Sequence, residues 1–159
     1  MAIEPGKFLP TYEGCLICGQ KHVNPATMNL RFQTDDEGVF VDFIPDKIYE
    51  GYKDIVHGGI ISALLDETIG WAVAAAREKY FLTAELNVRF LRPLPVGKKV
   101  RVRGRAVEDR PRYSIAEGEI VDEEGIIYAK GSGKFFIMRD KDAATVKKYL
   151  TYQDDDVDI

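Results

Sequence analysis

Hydrophobic and polar positions change period along this chain, and the changes mark its elements. Residues 1–25 hold proline, glycine and both cysteines without a sustained period, so they are expected as an irregular segment. Leu30 to Thr34 and Val39 to Ile44 flank the turn signal Asp35-Asp36-Glu37-Gly38, which predicts a β-hairpin. Pro45 to Val56 reads as a loop carrying Tyr49, Gly51 and Tyr52. From Gly58 to about Tyr80 the period becomes helical: Ile61, Leu65, Ile69 and Val73 recur at four-residue spacing, and Ala72 to Ala76 favours helix. Ile60, Leu64 and Trp71 add apolar surface on other faces, so other elements are expected to wrap this helix.

The period then shortens to two. Thr83 to Leu91, Val100 to Glu108, Arg112 to Val121 and Ile126 to Met138 read as strands. The alternation is cleanest where Val100, Val102, Gly104 and Ala106 face one way and Arg101, Arg103 and Arg105 the other. Ala143 to Leu150 is expected as a short helix, followed by an acidic tail, Asp154 to Asp158, that is expected to fray. The order ββ, one long helix, ββββ predicts an α+β fold in which an antiparallel sheet curls round the helix. A length of 159 residues suits one domain with its own core, residues 139–159 forming its C-terminal helix and tail.

Composition narrows the function. Apolar residues make up 45% and charged residues 30%, ordinary for a globular protein, and the net charge of −4 points to neither nucleic acid nor a membrane surface. The basic residues concentrate between Arg89 and Arg112, where Glu108 and Asp109 are the opposing charges. No nucleic-acid-binding motif accompanies that run, so a solvated sheet face is its commoner explanation. Contact of some of these arginines with phosphates is the alternative, with Arg89 and Arg92 as equal candidates. Residues 1–10 lack the apolar run of a secretory leader, and the long helix is interrupted by Asp66, Glu67 and Gly70, so the cytoplasm is the expected compartment.

Chemistry concentrates in His57-Gly58-Gly59-Ile60-Ile61-Ser62-Ala63-Leu64-Leu65-Asp66-Glu67. Gly58 and Gly59 carry no Cβ, so the backbone can approach a ligand closely. The first turn of a helix has free N–H groups and the positive end of the helix dipole, which suit a polarised carbonyl. Asp66 lies about 12 Å further along the axis, and an acid so deep in an apolar helix is expensive unless paired or used. Pairing with a buried arginine is the structural explanation for Asp66; general-base chemistry is the functional one. Glu67 points roughly 100° away, and suits a subunit contact or a second carboxylate beside Asp66. Ser62, four residues before Asp66, is placed to hydrogen-bond it. His57 suits a cap or loop-orienting role better than a base.

Cys15, Cys18 and His22 supply three ligands of a zinc set, but no fourth lies nearby. A turn with buried thiols is the simpler expectation, and no metal or other cofactor is expected.

The element order, with His-Gly-Gly, six residues and then Asp, resembles the hotdog fold, and more narrowly the acyl-CoA thioesterases of the phenylacetate-degradation type. Cys15-Leu16-Ile17-Cys18-Gly19 followed by Asn24-Pro25, Thr83-Ala84-Glu85-Leu86-Asn87-Val88-Arg89-Phe90-Leu91-Arg92-Pro93 and Gly131-Ser132-Gly133-Lys134-Phe135 also resemble segments of that family. The resemblance implies hydrolysis of an acyl-coenzyme A thioester at a site between two subunits of a homodimer or a dimer of dimers. It implies a carbonyl-polarising N–H at Gly58, a base or nucleophile at Asp66, and a water-positioning hydroxyl at Thr83. Gly59, Ser62, Asn87, Arg89 and Arg92 are the expected substrate contacts. Some relatives carry an asparagine about six residues before the glycine pair; this chain has Tyr49, Glu50, Gly51 and Tyr52 there. A non-catalytic acyl-CoA-binding protein and an enoyl-CoA hydratase on the same fold are the alternatives.

Overall fold

A computed structural model describes residues 4–159; the first three residues of the N-terminal segment lie outside the described residues. The elements are β1 (Thr11–Tyr12), β2 (Gln33–Thr34), β3 (Val39–Phe43), α1 (Gly58–Arg77), β4 (Phe81–Phe90), β5 (Val100–Asp109), β6 (Tyr113–Asp122), β7 (Ile127–Ile137), α2 (Asp140–Lys147) and β8 (Leu150–Thr151). Six strands form one antiparallel sheet in the order β2-β3-β5-β6-β7-β4, and β1 pairs with β8 in a separate ribbon. α1 lies against β3, β4, β5, β6 and β7, as its broad apolar girth requires. Its Ile61, Leu64, Leu65, Ile69 and Val73 are almost wholly buried.

Close packing of α1 depends on a row of glycines. Gly104 of β5 pairs with Gly118 of β6, which pairs with Gly131 of β7, so three strands present no side chain at one level. A Cβ would stand 2.9 Å from Ile69 Cγ2 at Gly104 and 2.6 Å from the same atom at Gly118. Both distances are shorter than carbon atoms tolerate, so the helix sits nearer the sheet than alanines would permit. The arginines of β5 take the opposite face, as the alternation predicts. Arg101 forks onto Asp42 at 2.8 and 3.0 Å, and Arg103 holds Glu119 Oε1 at 2.6 and 3.0 Å.

The ends of the chain depart from expectation. Residues Leu30 to Phe32 pair with the N-terminal segment instead of extending β2: Leu30 N–H donates to Ile17 O and Leu9 N–H to Phe32 O. That segment is structured and part of the core, with Leu9, Ile17 and Cys18 buried. α1 stops at Arg77, short of Tyr80, because Glu78 takes a left-handed conformation at φ 52°. α2 begins at Asp140, three residues before Ala143, and ends at Lys147. The acidic tail does not fray. Asp156 pairs with Arg31, Val157 N–H bonds Phe8 O, and Ile159 is buried with its carbonyl accepting from the Tyr80 hydroxyl at 2.7 Å. Apolar Val157 and Ile159 and the partly buried counter-charge of Arg31 offset the repulsion that the tail's composition suggests.

Candidate active site

The start of α1 is built around His57. Its extended backbone (φ −61°, ψ 135°) makes it the cap, and its Nδ1 accepts the Gly59 N–H at 2.8 Å. A ring that accepts at Nδ1 leaves Nε2 as its donor. The His57 carbonyl accepts from Ile60 at 3.0 Å and Ile61 at 3.3 Å. Among the described residues the Gly58 N–H meets no acceptor. It remains a free donor at the positive end of the helix. Glycine is needed nearby for room: a Cβ at residue 51 would lie 3.0 Å from His57 Cα, and one at residue 58 would touch the Phe90 ring at 3.3 Å. Ser62 does not reach Asp66. Its hydroxyl donates to the Gly58 carbonyl at 2.9 Å, the nearer acceptor one turn back.

Two turns inside, Asp66 is half-buried and Thr83 Oγ1 donates to its Oδ1 at 2.9 Å. Burial raises the Asp66 pKa above the usual carboxylate range, and the Thr83 hydrogen bond offsets part of that rise. Among the described residues no lysine or arginine pairs with Asp66, which removes the structural explanation for it. Thr83 faces the helix because β4 is bulged between Thr83 and Glu85. The extra residue lets Thr83 share a face with Phe135 while Glu85, Asn87 and Arg89 turn outward. Glu67 points elsewhere. Its Oε1 accepts from Trp71 Nε1 at 3.0 Å and from Cys15 Sγ at 3.4 Å, and burial raises its pKa despite these donors.

Asp66, Glu67 and Thr83 border a cavity of about 330 Å³ walled by Tyr12, Trp71, Tyr80, Phe81 and Phe135. Of the large apolar residues of α1 and the aromatic residues of the loop before it, Trp71 reaches it. Ile61 and Leu65 are core, Tyr49 packs on Phe43, and Tyr52 is 85% exposed. Tyr12, Met138, Val146 and Leu150 come from the chain's two ends. The β1–β8 pairing helps bring those ends together, and no periodicity announces it.

The remaining candidates lie apart from Asp66. Asn87 and Arg89 line an open groove of about 1000 Å³ on the outer sheet face, beside Arg103, Arg105 and Lys130. Asn87 donates to Glu85 at 2.9 Å. Arg92 is exposed and donates to the Ile127 carbonyl at 2.8 Å. His22 is exposed, whereas Cys15 and Cys18 gather instead with Glu67, their ligand atoms all within 4.8 Å of one another.

A curled antiparallel sheet round one long helix, with a glycine-marked helix start and an acid two turns inside, defines a hotdog-fold protein. Residues 53–129 match the family model of the thioesterase superfamily. That match spans just under half of the chain. It is 34% identical over 99 residues to the acyl-coenzyme A thioesterase THEM5 of Mus musculus, a match covering 61% of this chain and 39% of THEM5. The chain thus spans about two fifths of that curated relative. Among solved structures, a thioesterase superfamily protein matches with a TM-score of 0.66 at 26% identity, over 73% of this chain and 57% of the other. A Bacillus halodurans protein crystallised with CoA matches with a TM-score of 0.57 at 27% identity, over 62% of this chain and 66% of the other.

Proposed function

We propose that this protein hydrolyses acyl-coenzyme A thioesters in the cytoplasm, with Asp66 as the base and the Gly58 N–H as the oxyanion donor. The observation that carries the reading is the half-buried Asp66, held by Thr83 at the edge of an aromatic cavity and free of any cationic partner among the described residues. The relatives' chemistry supports it: THEM5 is an acyl-coenzyme A thioesterase, and the Bacillus halodurans protein holds CoA.

Thioester hydrolysis needs a polarised carbonyl, an activated water and a leaving thiolate. The free N–H at the helix start supplies the first. Asp66 takes the proton of water, its orientation fixed by Thr83. The thiolate leaves without a strong general acid, so no Ser-His-Asp triad is needed. Gly58 and Asp66 stand about 12 Å apart along one helix, too far to act on one carbonyl. Two copies solve this. β4 is the end strand of the sheet and has an open edge. Thr83, near one end, bonds Asp66, and Phe90, at the other, covers Gly58. Antiparallel pairing of two β4 edges about a two-fold axis lays the Asp66 end of one strand beside the Gly58 end of the other.

The aromatic walls suit an apolar acyl group. The test is release of free thiol from short-chain, long-chain and aryl acyl-CoAs by wild type and Asp66→Asn. Turnover of one class that is lost in the variant supports the reading. Tight acyl-CoA retention without turnover replaces it with a binding protein.

A further inference from the structure

The cysteine pair has found a third ligand that its sequence spacing does not show. Cys15 and Cys18 come from the N-terminal turn and Glu67 from α1, and their ligand atoms lie within 4.8 Å of one another. Zn–S and Zn–O bonds of about 2.3 and 2.0 Å at a tetrahedral angle separate sulfur from oxygen by about 3.5 Å. Cys15 Sγ lies 3.4 Å from Glu67 Oε1.

The surroundings suit thiolates. Ile17 and Cys18 N–H groups donate to Cys15 Sγ at 3.3 and 3.4 Å, and the Tyr12 N–H donates to Cys18 Sγ at 3.4 Å. A neutral thiol is a weak acceptor, so such donors are best used by S⁻. Among the described residues no lysine or arginine pairs with Glu67, so a bound cation would be its counter-charge. Gly19 makes the turn possible, since a Cβ there would lie 2.2 Å from the Cys15 carbonyl oxygen.

We propose that Cys15, Cys18 and Glu67 bind a thiophilic divalent cation of the zinc type and so pin the N-terminal segment to α1. Two metal–sulfur bonds and one metal–oxygen bond form, and the protons on the thiols and on Glu67 are released to solvent. Glu67 borders the cavity, which leaves the fourth position to water on that side. Sulfur ligands select zinc over magnesium or calcium. The site borders the same cavity as Asp66, but the proposal does not depend on the thioesterase reading.

The test is metal analysis of protein purified without affinity tag or chelator, followed by Co²⁺ titration of the chelator-stripped protein. About one zinc per chain is expected, together with a thiolate-to-cobalt charge-transfer band. Cys15→Ser and Cys18→Ser should abolish both signals. Glu67→Gln keeps an oxygen for Trp71, so it folds even where the serines loosen the turn, and it should weaken metal binding on the order of tenfold or more. Metal-free protein with no cobalt band overturns the proposal, whether its cysteines are two thiols or a disulfide two protons lighter. Unchanged metal affinity in Glu67→Gln overturns the ligand set.

Discussion

In the proposed reaction Asp66 and Gly58 divide the chemistry, and each can be removed without dismantling the helix. Asp66→Asn keeps an acceptor for Thr83 but cannot take a proton, so kcat should fall by about 10²- to 10⁴-fold. The same change should stabilise the protein at neutral pH. Burial raises the folded-state pKa of Asp66 above its unfolded value, so the folded state binds more protons between the two and loses stability as pH rises through that window. Asparagine escapes that loss, and denaturant melts of both proteins at pH 7 would show it. For the wild type, kcat/KM should decline on the acid side with a midpoint above the ordinary aspartate pKa; a midpoint at the ordinary value would contradict the raised pKa. Gly58→Pro removes the N–H itself. Proline is accepted at the first helical position, and the extended backbone of His57 suits the residue before a proline. The exposed Phe90 ring has room to shift. Loss of one oxyanion donor should lower kcat by about 10²- to 10³-fold with the helix intact by circular dichroism. His57→Ala should instead cost about 1 kcal/mol of stability, as loss of a cap does.

At the scale of elements, the helix and the four long strands were legible because their periods are undiluted. Ile61, Leu65, Ile69 and Val73 announce α1, and the alternation of valine and arginine announces β5 with its faces correctly assigned. What stayed hidden was anything set by pairing at a distance. Asn87 and Arg89 follow Thr83 in sequence, yet the bulge at Ala84 turns them to the outer face, and a bulge leaves no mark on a pattern of mixed side chains. Glu67 was expected at a subunit contact or beside Asp66 as a second carboxylate, and its partner Cys15 lies 52 residues away. The glycine row was also invisible as a row, since Gly104, Gly118 and Gly131 become neighbours only through strand register. Its consequence is testable: Gly118→Ala drives a methyl against Ile69 and the Arg103 carbonyl and should cost about 1–3 kcal/mol in chemical denaturation. An unchanged midpoint would mean that α1 does not sit this close to the sheet.

At the scale of the whole molecule, the proposed reaction needs a site made by two copies, because about 12 Å of helix, at about 1.5 Å per residue, separates donor and acid and the edge of β4 is open. Light scattering should give a dimer or a multiple of one, and a strict monomer would leave each half-site unable to act. The most direct test mixes two inactive proteins. Gly58→Pro and Asp66→Asn are unfolded together, refolded, and assayed for thiol release from the preferred acyl-CoA. Half of the resulting dimers are hybrids with one intact site of two, so about a quarter of wild-type activity should return. A mixture as inactive as its parents, beside an active wild type refolded the same way, would contradict a site shared between subunits.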